Sequence, residues 1–434
     1  MAKAKSKKIT LEEALVPVEE QPYKVPENWC WIHLLDSFDN VTDSKKKLAT
    51  KEYLEDGEYP IIDQGQDFIG GYTDDADMIY DGELPIVIFG DHTRCIKYID
   101  FQFAQGADGV KVLKPKQFWN DKAFYYAMQS IEIPNMGYRR HYPLFKDFCI
   151  PLPPLAEQKR IVEQIESLFS KLDEAKEKAQ EVIDRIETNI EAILYNVFSG
   201  KLTQYWRKEN GVDYNWEKST LSKIVSGLKY GSSEKSDYNN NGTPVLRIPN
   251  IGEGVIDFSD LKYMQGELEN SSHEVFENDI LIIRSNGSRD LVGKCAIVPA
   301  LERRFAYASF LIRIKASDKV LPNYLVRYIN SSMARGQLFA KAKSSSGIHN
   351  INSKELGSIR IDVPTIEEQT EILKIIEPLI KKELAVKNIT SHMIENIAEL
   401  KKSILTKAFR GELGTNVSLE ESSIELLKKT IEEG

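Results

Sequence analysis

Cysteine is scarce in this sequence, and the four cysteines are far apart, with no C-x-x-C pair among them. Such spacing provides neither a disulfide framework nor a zinc site, so we expect reduced thiols. The six histidines likewise include no H-E-x-x-H or other closely spaced pair of ligands. We therefore predict that the chain has no metal site.

Long hydrophobic runs are missing too. No run approaches the roughly 18 apolar residues that a transmembrane helix requires. The lysine-rich start "MAKAKSKK" is not followed by the apolar core of a signal peptide. A composition of 41% hydrophobic and 28% charged residues over 434 positions is typical of a globular protein with two or three domains. We expect a cytoplasmic protein without membrane contact.

Catalytic motifs are also lacking. The sequence contains neither the N-P-P-[FYW] nor the D-P-P-[YW] tetrapeptide with which an adenine methyltransferase grips a flipped base. "GSRDLVGKC" (287–295) resembles a P-loop, but Cys295 stands where a magnesium-binding Ser or Thr is required, and the glycine spacing is one residue too long. We therefore predict no catalytic residues, so that an enzyme acting on its own is the disfavoured hypothesis.

An excess of positive charge is confined to one region of an acidic chain. The net charge is −9, and residues 1–150 contain 18 basic and 25 acidic side chains. Residues 203–360 reverse this balance, with 22 basic and 17 acidic side chains. A nucleic-acid-binding protein is expected to present a basic face. Charge alone does not predict one here, unless the basic residues gather on one face or a partner supplies phosphate contacts.

A proline-led stretch occurs twice. "PLPPLAEQKRI" (151–161) returns as "DVPTIEEQTEI" (362–372), and the two copies align at an offset of 211 without a gap as far as Gly200 and Gly411. Each copy predicts a long helix that follows prolines and ends at a glycine suited to the C′ position. The register over fifty positions indicates an internal duplication.

Within both helices apolar residues recur at spacings of four and three, which predicts a coiled-coil seam. Helices of about 45 residues are roughly 65–70 Å long, and we expect them to pack on one another rather than separately on globular cores. Thr365 and Glu368 predict a capping box, and Pro378 predicts a kink or a delayed start of the second helix. Asn189 is either a register-setting residue or a solvent-facing one. The predicted seam consists of Ile161, Ile165, Leu168, Leu172, Val182, Ile186, Ile193, Ile372, Ile376, Leu379, Met393, Ile397, Leu400 and Ile404.

The segments before the helices are related as well. "NWCWIHLLDSF" aligns with "NWEKSTLSKIV", pairing Trp29 with Trp216 at an offset of 187, so the second copy contains about 24 extra residues. Both segments are rich in short β-branched runs separated by Gly, Pro, Asn and Asp, which is typical of mixed α/β structure. The predicted fold class is α/β (α+β), with two mixed globules, each followed by a long helix.

A family resemblance rests on the division of the chain into two similar halves and on two stretches, "IPLPPLAEQKRIV" (150–162) and "NDILIIRSNGSRDLVGKCAIV" (278–298). In these features the chain resembles the specificity (S, HsdS) subunits of type I restriction-modification systems. The resemblance covers residues 25–413. It implies two target-recognition domains, each reading one half of a bipartite DNA site, and an antiparallel coiled coil that spaces them. The implied segments are an extension (1–24), domain 1 (25–152), helix 1 (153–202), domain 2 (203–363), helix 2 (364–413) and a tail with a short helix (414–434).

The resemblance also implies partners. In this family the subunit binds double-stranded DNA and two methyltransferase subunits, which methylate adenine at N6 with S-adenosylmethionine, and restriction subunits that use ATP and Mg join them in host defence. The specificity subunit itself is non-catalytic and binds no cofactor. Phe198 and Phe409, near the helix ends, are expected either to anchor a methyltransferase subunit or to act as capping hydrophobes. The alternative hypothesis is a coiled-coil scaffold whose globules bind proteins, which the net acidity favours.

Polar loops supply the candidate DNA contacts, because Arg, Lys, Asn, Gln, Ser and Thr read base edges and phosphates. The basic loop "GYRRHYP" (137–143) and the matching "KAKSSSGIHNIN" (341–352) are the strongest candidates, although any single residue in them could be an ordinary solvated side chain. The predicted contacts are Gln64, Gln66, His92, Thr93, Arg94, Tyr138, Arg139, Arg140, His141, Lys229, Ser232, Ser233, Arg284, Asn286, Ser288, Arg289, Lys343, Ser345, Ser346, His349 and Asn350.

Overall fold

The computed structural model describes residues 10–107, 109–265, 268, 271–341, 343–345 and 347–433. The chain divides into two compact units, unit 1 (Met1–Ala179 with His392–Gly434) and unit 2 (Gln180–Ser391). Each unit therefore contains one globule and one end of each long helix. No helix in the described part of the chain combines the length and the apolar character needed to cross a membrane.

Unit 1 is a mixed globule of short strands. Its elements up to the first long helix are α1 (Leu11–Ala14), β1 (Cys30–His33), β2 (Phe38–Asn40), β3 (Tyr59–Ile62), β4 (Gly71–Thr73), β5 (Ile86–Gly90), β6 (Ile96–Ile99), β7 (Ala104–Gln105), β8 (Val110–Pro115), α2 (Asp121–Ser130), β9 (Cys149–Leu152) and α3 (Leu155–Phe198). Strands β2, β8, β5 and β6 form an antiparallel sheet in that order, β4, β3 and β7 form a second sheet, and β1 pairs with β9.

Unit 2 contains the second globule. The remaining elements are α4 (Gln204–Asn210), β10 (Glu217–Thr220), α5 (Leu221–Ile224), β11 (Val225–Tyr230), β12 (Ser236–Asp237), β13 (Gly242–Leu246), β14 (Gly254–Val255), β15 (Lys262–Gln265), β16 (Glu274–Val275), β17 (Ile280–Ile283), β18 (Ser285–Asn286), β19 (Cys295–Ile297), β20 (Phe305–Tyr307), β21 (Leu311–Ala316), α6 (Pro322–Asn330), α7 (Ser332–Lys341), β22 (Lys343–Ser345), β23 (Ile348–Asn350), α8 (Ser353–Gly357), β24 (Arg360–Val363), α9 (Ile366–Ala408) and, in unit 1, α10 (Ser423–Glu433). The sheets of unit 2 have the orders β11-β21-β17-β19-β14, β12-β15-β13-β20-β16, β18-β23-β22 and β10-β24.

The two globules share the strand order at the centre of their sheets, to which unit 2 adds further strands. The order β2-β8-β5-β6 of unit 1 returns as β11-β21-β17-β19 in unit 2, and β4-β3-β7 returns as β15-β13-β20. The pairs β3/β7 and β13/β20 are parallel, whereas their neighbours are antiparallel. The predicted mixed α/β class, with two repeated globules and two long helices, is thus confirmed.

The duplicated Glu-Gln dipeptide explains why the proline-led stretch occurs twice. The indole nitrogen of Trp29 donates to Glu157 Oε2 (2.7 Å), and that of Trp216 donates to Glu368 Oε2 (3.0 Å). Both carboxylates are buried, and a buried carboxylate requires such donors because burial removes its water. Each glutamate therefore fixes the start of its long helix to the tryptophan that precedes the first or tenth strand.

The adjacent glutamines bind a second helix in each globule. Gln158 Oε1 accepts the backbone N–H of Asn120 (2.6 Å), which precedes α2, and Gln369 Oε1 accepts that of Leu321 (2.8 Å), which precedes α6. Both side-chain amides also donate to the carbonyl of the proline five residues earlier, at 2.9 Å in each copy. The first N–H groups of a helix lack intrahelical partners, so these amides stabilise the ends of α2 and α6.

Each buried glutamate also contacts the segment that follows the other long helix. Glu368 accepts from Thr203 Oγ1 (2.6 Å) and forms an ion pair with Arg207. Glu157 accepts from Asn416 Nδ2 (2.7 Å). In each unit the start of one long helix is therefore fixed beside the end of the other, which is an antiparallel arrangement.

The terminal signals of the helices are partly as predicted. Gly200 and Gly411 have φ of +72° and +76°, the left-handed conformation of a C′ glycine. Only half of the predicted capping box forms, because Thr365 Oγ1 accepts the N–H of Glu368 (3.3 Å) while the carboxylate binds Arg207 instead. α9 begins ahead of Pro378, so the proline does not delay its start.

The buried face of the helices differs from the predicted seam by one position in places. Val182 is 40% exposed while Ile183 is buried, and Leu379 is 45% exposed while Ile380 is buried. Met393 and Leu400 are also exposed, although the sequence predicts both to lie in the seam. An unsupercoiled helix drifts by about 20° per heptad relative to a strict seven-residue repeat, so buried positions shift along a long helix. Of the predicted seam residues, those buried are Ile161, Ile165, Ile186, Ile372, Ile376 and Ile397. Those partly buried are Leu168, Leu172, Ile193 and Ile404. The exposed ones are Val182, Leu379, Met393 and Leu400.

The two phenylalanines near the helix ends are core residues. Phe198 packs edge-on against Tyr324 and Tyr328, and Phe409 is fully buried in the core of unit 1. Neither is therefore available as an anchor for another subunit. The C-terminal helix α10 buries Leu427 in the same core as Phe409, so the tail packs on unit 1.

Candidate nucleic-acid interface

In unit 1 two of the predicted loops meet beyond the ends of β3 and β5. Gln64 Oε1 accepts the backbone N–H of His92 (3.1 Å), and Thr93 Oγ1 donates to the carbonyl of Gln64 (2.5 Å). Gly109, with φ of +86°, lies against them, and a Cβ there would come within 2.5 Å of Gln64 Oε1. The glycine is required for this close approach. The loops therefore form one rigid polar surface.

The side chain of Lys97 binds the backbone of the loop that contains Gln64. Its ammonium donates to the carbonyls of Asp63 (3.0 Å) and Asp67 (2.5 Å) and lies 3.8 Å from the Asp63 carboxylate. The side chain is almost fully buried, and this burial lowers the pKa of Lys97, while Asp63 acts in the opposite direction. Sequence reasoning missed this residue, whose only signal is a lysine between apolar neighbours on β6. Its ammonium thus binds the backbone on both sides of the segment that contains Gln64 and Gln66.

The loop 134–140 is exposed, but His141 at its end is not. His141 is fully buried, with Nδ1 2.8 Å from the carbonyl of Asp91 and Nε2 accepting the N–H of Met136 (3.1 Å). Both ring nitrogens are thus bonded to the backbone, so His141 closes the loop and does not face DNA, contrary to our prediction. Arg139 and Arg140 are exposed at the tip.

Arg94 has a similar supporting role. Its φ is +63°, a conformation that few residues other than glycine adopt, and its guanidinium donates to the carbonyl of Ile133 (2.9 Å). The half-buried side chain therefore ties the loop after β5 to the segment that leads into residues 134–140. Arg94 and Gln66 both line a cleft of about 780 Å³.

In unit 2 the small sheet β18-β23-β22 brings together two other predicted loops. Ser285 pairs with Asn350 and Asn286 with His349, while β22 supplies the third strand. Asn286 Oδ1 accepts the N–H of Ser288 (2.7 Å), which closes a tight turn. Lys343 and Ser345 lie on β22, and Ser346 is outside the described residues.

Arg284 connects the third predicted loop of unit 2 (228–233) to the small sheet. Its guanidinium lies 4.9 Å from the ring centroid of Tyr230, a cation–π geometry, and Tyr230 OH in turn accepts the N–H of Ser353 (2.9 Å). Ser232 is buried, and its hydroxyl accepts the N–H of Glu234 (3.1 Å). Ser232 thus stabilises the turn after β11. Like His141, it is buried and does not face outward, contrary to our prediction that it contacts DNA.

The predicted side chains fall into three groups by exposure. The exposed ones can reach a ligand directly, whereas the half-buried ones are held by hydrogen bonds or by their strands. Exposed are Gln66, Tyr138, Arg139, Arg140, Lys229, Ser233, Ser288 and Arg289; half-buried are Gln64, His92, Thr93, Arg94, Arg284, Asn286, His349 and Asn350; buried are His141 and Ser232. Among the described residues no three His, Cys, Asp or Glu side chains are placed to hold a metal ion. The surfaces suit hydrogen bonding to a polar, anionic ligand.

Comparison with known proteins identifies the repeated plan. The family model "Type I restriction modification DNA specificity domain" matches residues 26–185 and again 214–396. The specificity subunit of the type I restriction enzyme EcoKI from Escherichia coli K12 is 31% identical over 290 residues, 64% of this chain and 62% of that subunit. The chain thus spans less than two thirds of the length of that relative. The specificity subunit of EcoR124I/EcoR124II from Escherichia coli is 27% identical over 365 residues, 80% of this chain and 85% of its own.

A solved structure agrees with the fold. The solved structure comes from a study of complex assembly and conformational transition of the type I R-M system. It superimposes on this chain with a TM-score of 0.59 at 19% sequence identity. The match covers 90% of this chain and all of the other chain. The likeness supports the arrangement of two mixed globules and two long helices. With one match of the family model in each half, the chain belongs to the type I restriction modification DNA specificity family.

Proposed function

We propose that this chain is the DNA-specificity subunit of a type I restriction-modification enzyme. Each globule reads one half of a bipartite target, and the chain performs no chemistry itself. The observation that carries the proposal is the duplication: a family match in each half, with an outward-facing polar surface on each globule. A target with two separated halves requires two readers held apart.

The two reading surfaces differ in their side chains, which supports an asymmetric target. Unit 1 presents Tyr138, Arg139 and Arg140 at a loop tip, whereas unit 2 presents Lys229 and Arg289 beside a small sheet. Because base edges are distinguished by the geometry of donors and acceptors, different side chains imply different half-site sequences.

A second apolar face on α9 supports helix-mediated docking of partner subunits. Leu379, Val386, Met393 and Leu400 recur at seven-residue intervals and are 45%, 40%, 45% and 50% exposed. Exposed apolar residues at heptad spacing are typical of a face that another helix covers. We assign this face to the two methyltransferase subunits, which would bring S-adenosylmethionine and methylate adenine at N6. Restriction subunits with ATP and Mg would complete the enzyme in the cytoplasm.

The experiment is to purify the chain with its methyltransferase, map methylated adenines in the source genome with and without this gene, and footprint the resulting target. We expect methylation at one bipartite motif and protection of two separated half-sites. A single contiguous protected site would contradict the proposal.

The runner-up function, a protein-binding scaffold, is motivated by the net charge of −9. The same footprint discriminates the two, because a scaffold protects no specific sequence. Sequence-selective protection that weakens as salt is raised would exclude the scaffold.

A further inference from the structure

Tyr138 is an exposed side chain of unit 1 that stacks on a second ring. It is 86% exposed at the tip of the loop 134–140. Its ring lies parallel to the ring of His92, with centroids 4.8 Å apart and an interplanar angle of 10°. One face of the tyrosine is thus covered by an aromatic ring, while the side chain as a whole is open.

The stack rests on a rigid support. The backbone of His92 is bonded to Gln64 Oε1 (3.1 Å), and a Cβ at Gly109 would come within 2.9 Å of the His92 ring. The loop that carries Tyr138 is closed by the buried His141, which accepts the N–H of Met136 (3.1 Å). Ordering an exposed aromatic ring costs side-chain entropy. Because Tyr138 already stacks on His92 in the free chain, its ring need not be ordered when a ligand binds.

The chemistry around the ring suits a nucleobase. Arg139 and Arg140 follow directly and are exposed, so guanidinium groups are available for phosphates near an inserted ring. Aromatic faces stack on bases of any sequence, and side chains that insert at a base step partly unstack it. A hydrogen-bonding reader would not require the parallel support of a second ring.

We propose, on the basis of the proposed function, that Tyr138 inserts its ring at one base step of the half-site read by unit 1. There it stacks on a nucleobase, with His92 as the backing ring. The tyrosine hydroxyl is not required for this contact. Unit 1 thus reads its half-site partly through the ease with which that step opens, in addition to hydrogen bonds from neighbouring side chains.

The test uses the full chain with its methyltransferase and a duplex containing the mapped target. 2-Aminopurine is substituted singly along both half-sites, and its fluorescence reports local unstacking. Tyr138→Ala, Tyr138→Phe and the wild type are compared, with Tyr205→Ala as the matched control, since Tyr205 is 79% exposed on α4.

Apart from changes at the adenines that the methyltransferase flips for methylation, we expect in the wild type a fluorescence change at one further base step, in one half-site only. Tyr138→Ala should lose that change and bind about 10- to 100-fold more weakly, in line with the loss of one stacked base. Tyr138→Phe and Tyr205→Ala should behave as the wild type. Selective binding by the wild type that Tyr138→Ala leaves unaltered would overturn the stacking proposal alone. A Tyr138→Phe defect equal to that of Tyr138→Ala would overturn it in favour of a hydroxyl contact. No sequence preference in the wild type would overturn the proposed function as well.

Discussion

At the residue scale, the buried pair Arg207–Glu368 organises the start of α9, since the side chains are only 7% and 1% exposed. Removing one partner of such a pair leaves an uncompensated charge in the interior. We predict that Glu368→Ala lowers the free energy of unfolding of unit 2 by about 3–5 kcal/mol. The measurement is a denaturant titration, with the exposed neighbour Glu367→Ala as control. Equal midpoints for the two variants would contradict the prediction.

Arg139 and Arg140 are exposed at the tip of the unit 1 loop. If they read bases, Arg139→Ala or Arg140→Ala should weaken binding to one half-site by about 1–3 kcal/mol and relax specificity there. Competition binding with targets mutated in either half-site measures this effect. An equal loss on unrelated DNA would show that the arginines contact phosphates instead.

Two individual residues illustrate what residue type alone could not reveal. The sequence places His141 and Ser232 in basic or polar loops, where both are typical DNA contacts. The fold buries them, because the ring nitrogens of His141 bind the backbone of Met136 and of the distant Asp91, and the hydroxyl of Ser232 binds the backbone of Glu234. Conversely, Lys97 has no sequence motif, and its role depends on carbonyls of residues about 30 positions earlier.

At the element scale, α9 has one buried and one exposed apolar face. We predict that Met393→Lys combined with Leu400→Glu prevents co-purification of the methyltransferase, because charge on the exposed face opposes helix docking. Both residues are about half exposed, so the free energy of unfolding should change little. Ile397→Ala, at a buried position, is the reciprocal control and should lower stability by about 2–5 kcal/mol. Normal co-purification of the double variant would reject this face as the docking site.

The long helices also predict the spacing of the half-sites. Inserting one heptad after Ala179 and one after Ser391 lengthens both helices by about 10 Å while retaining their registers. The preferred spacer should grow by about three base pairs, at 3.4 Å each, with both half-sites unchanged. Binding to a series of targets with different spacers measures this. An unchanged optimum would mean that the helices do not set the distance.

At the scale of the whole molecule, charge is unequally distributed. Residues 203–360 have an excess of basic side chains in a chain of net charge −9. We predict that DNA binding weakens as salt increases. Lys229→Ala or Arg289→Ala should each reduce the slope of log K against log salt by about 1 if the residue contacts phosphate. Titration at several KCl concentrations measures the slope, and Lys201→Ala outside these loops is the control. Unchanged slopes would place the phosphate contacts elsewhere.

The sequence by itself determined the repeat, the two long helices with their glycine ends, and the mixed α/β class. These follow from periodicity, proline and glycine, which act through local backbone geometry. The tertiary structure alone decided which polar residues face outward, which apolar face of α9 is covered, and how Tyr138 comes to stack on His92. Those outcomes depend on contacts between segments distant in sequence, such as Gln64 with His92 and Glu157 with Asn416, which no local pattern encodes.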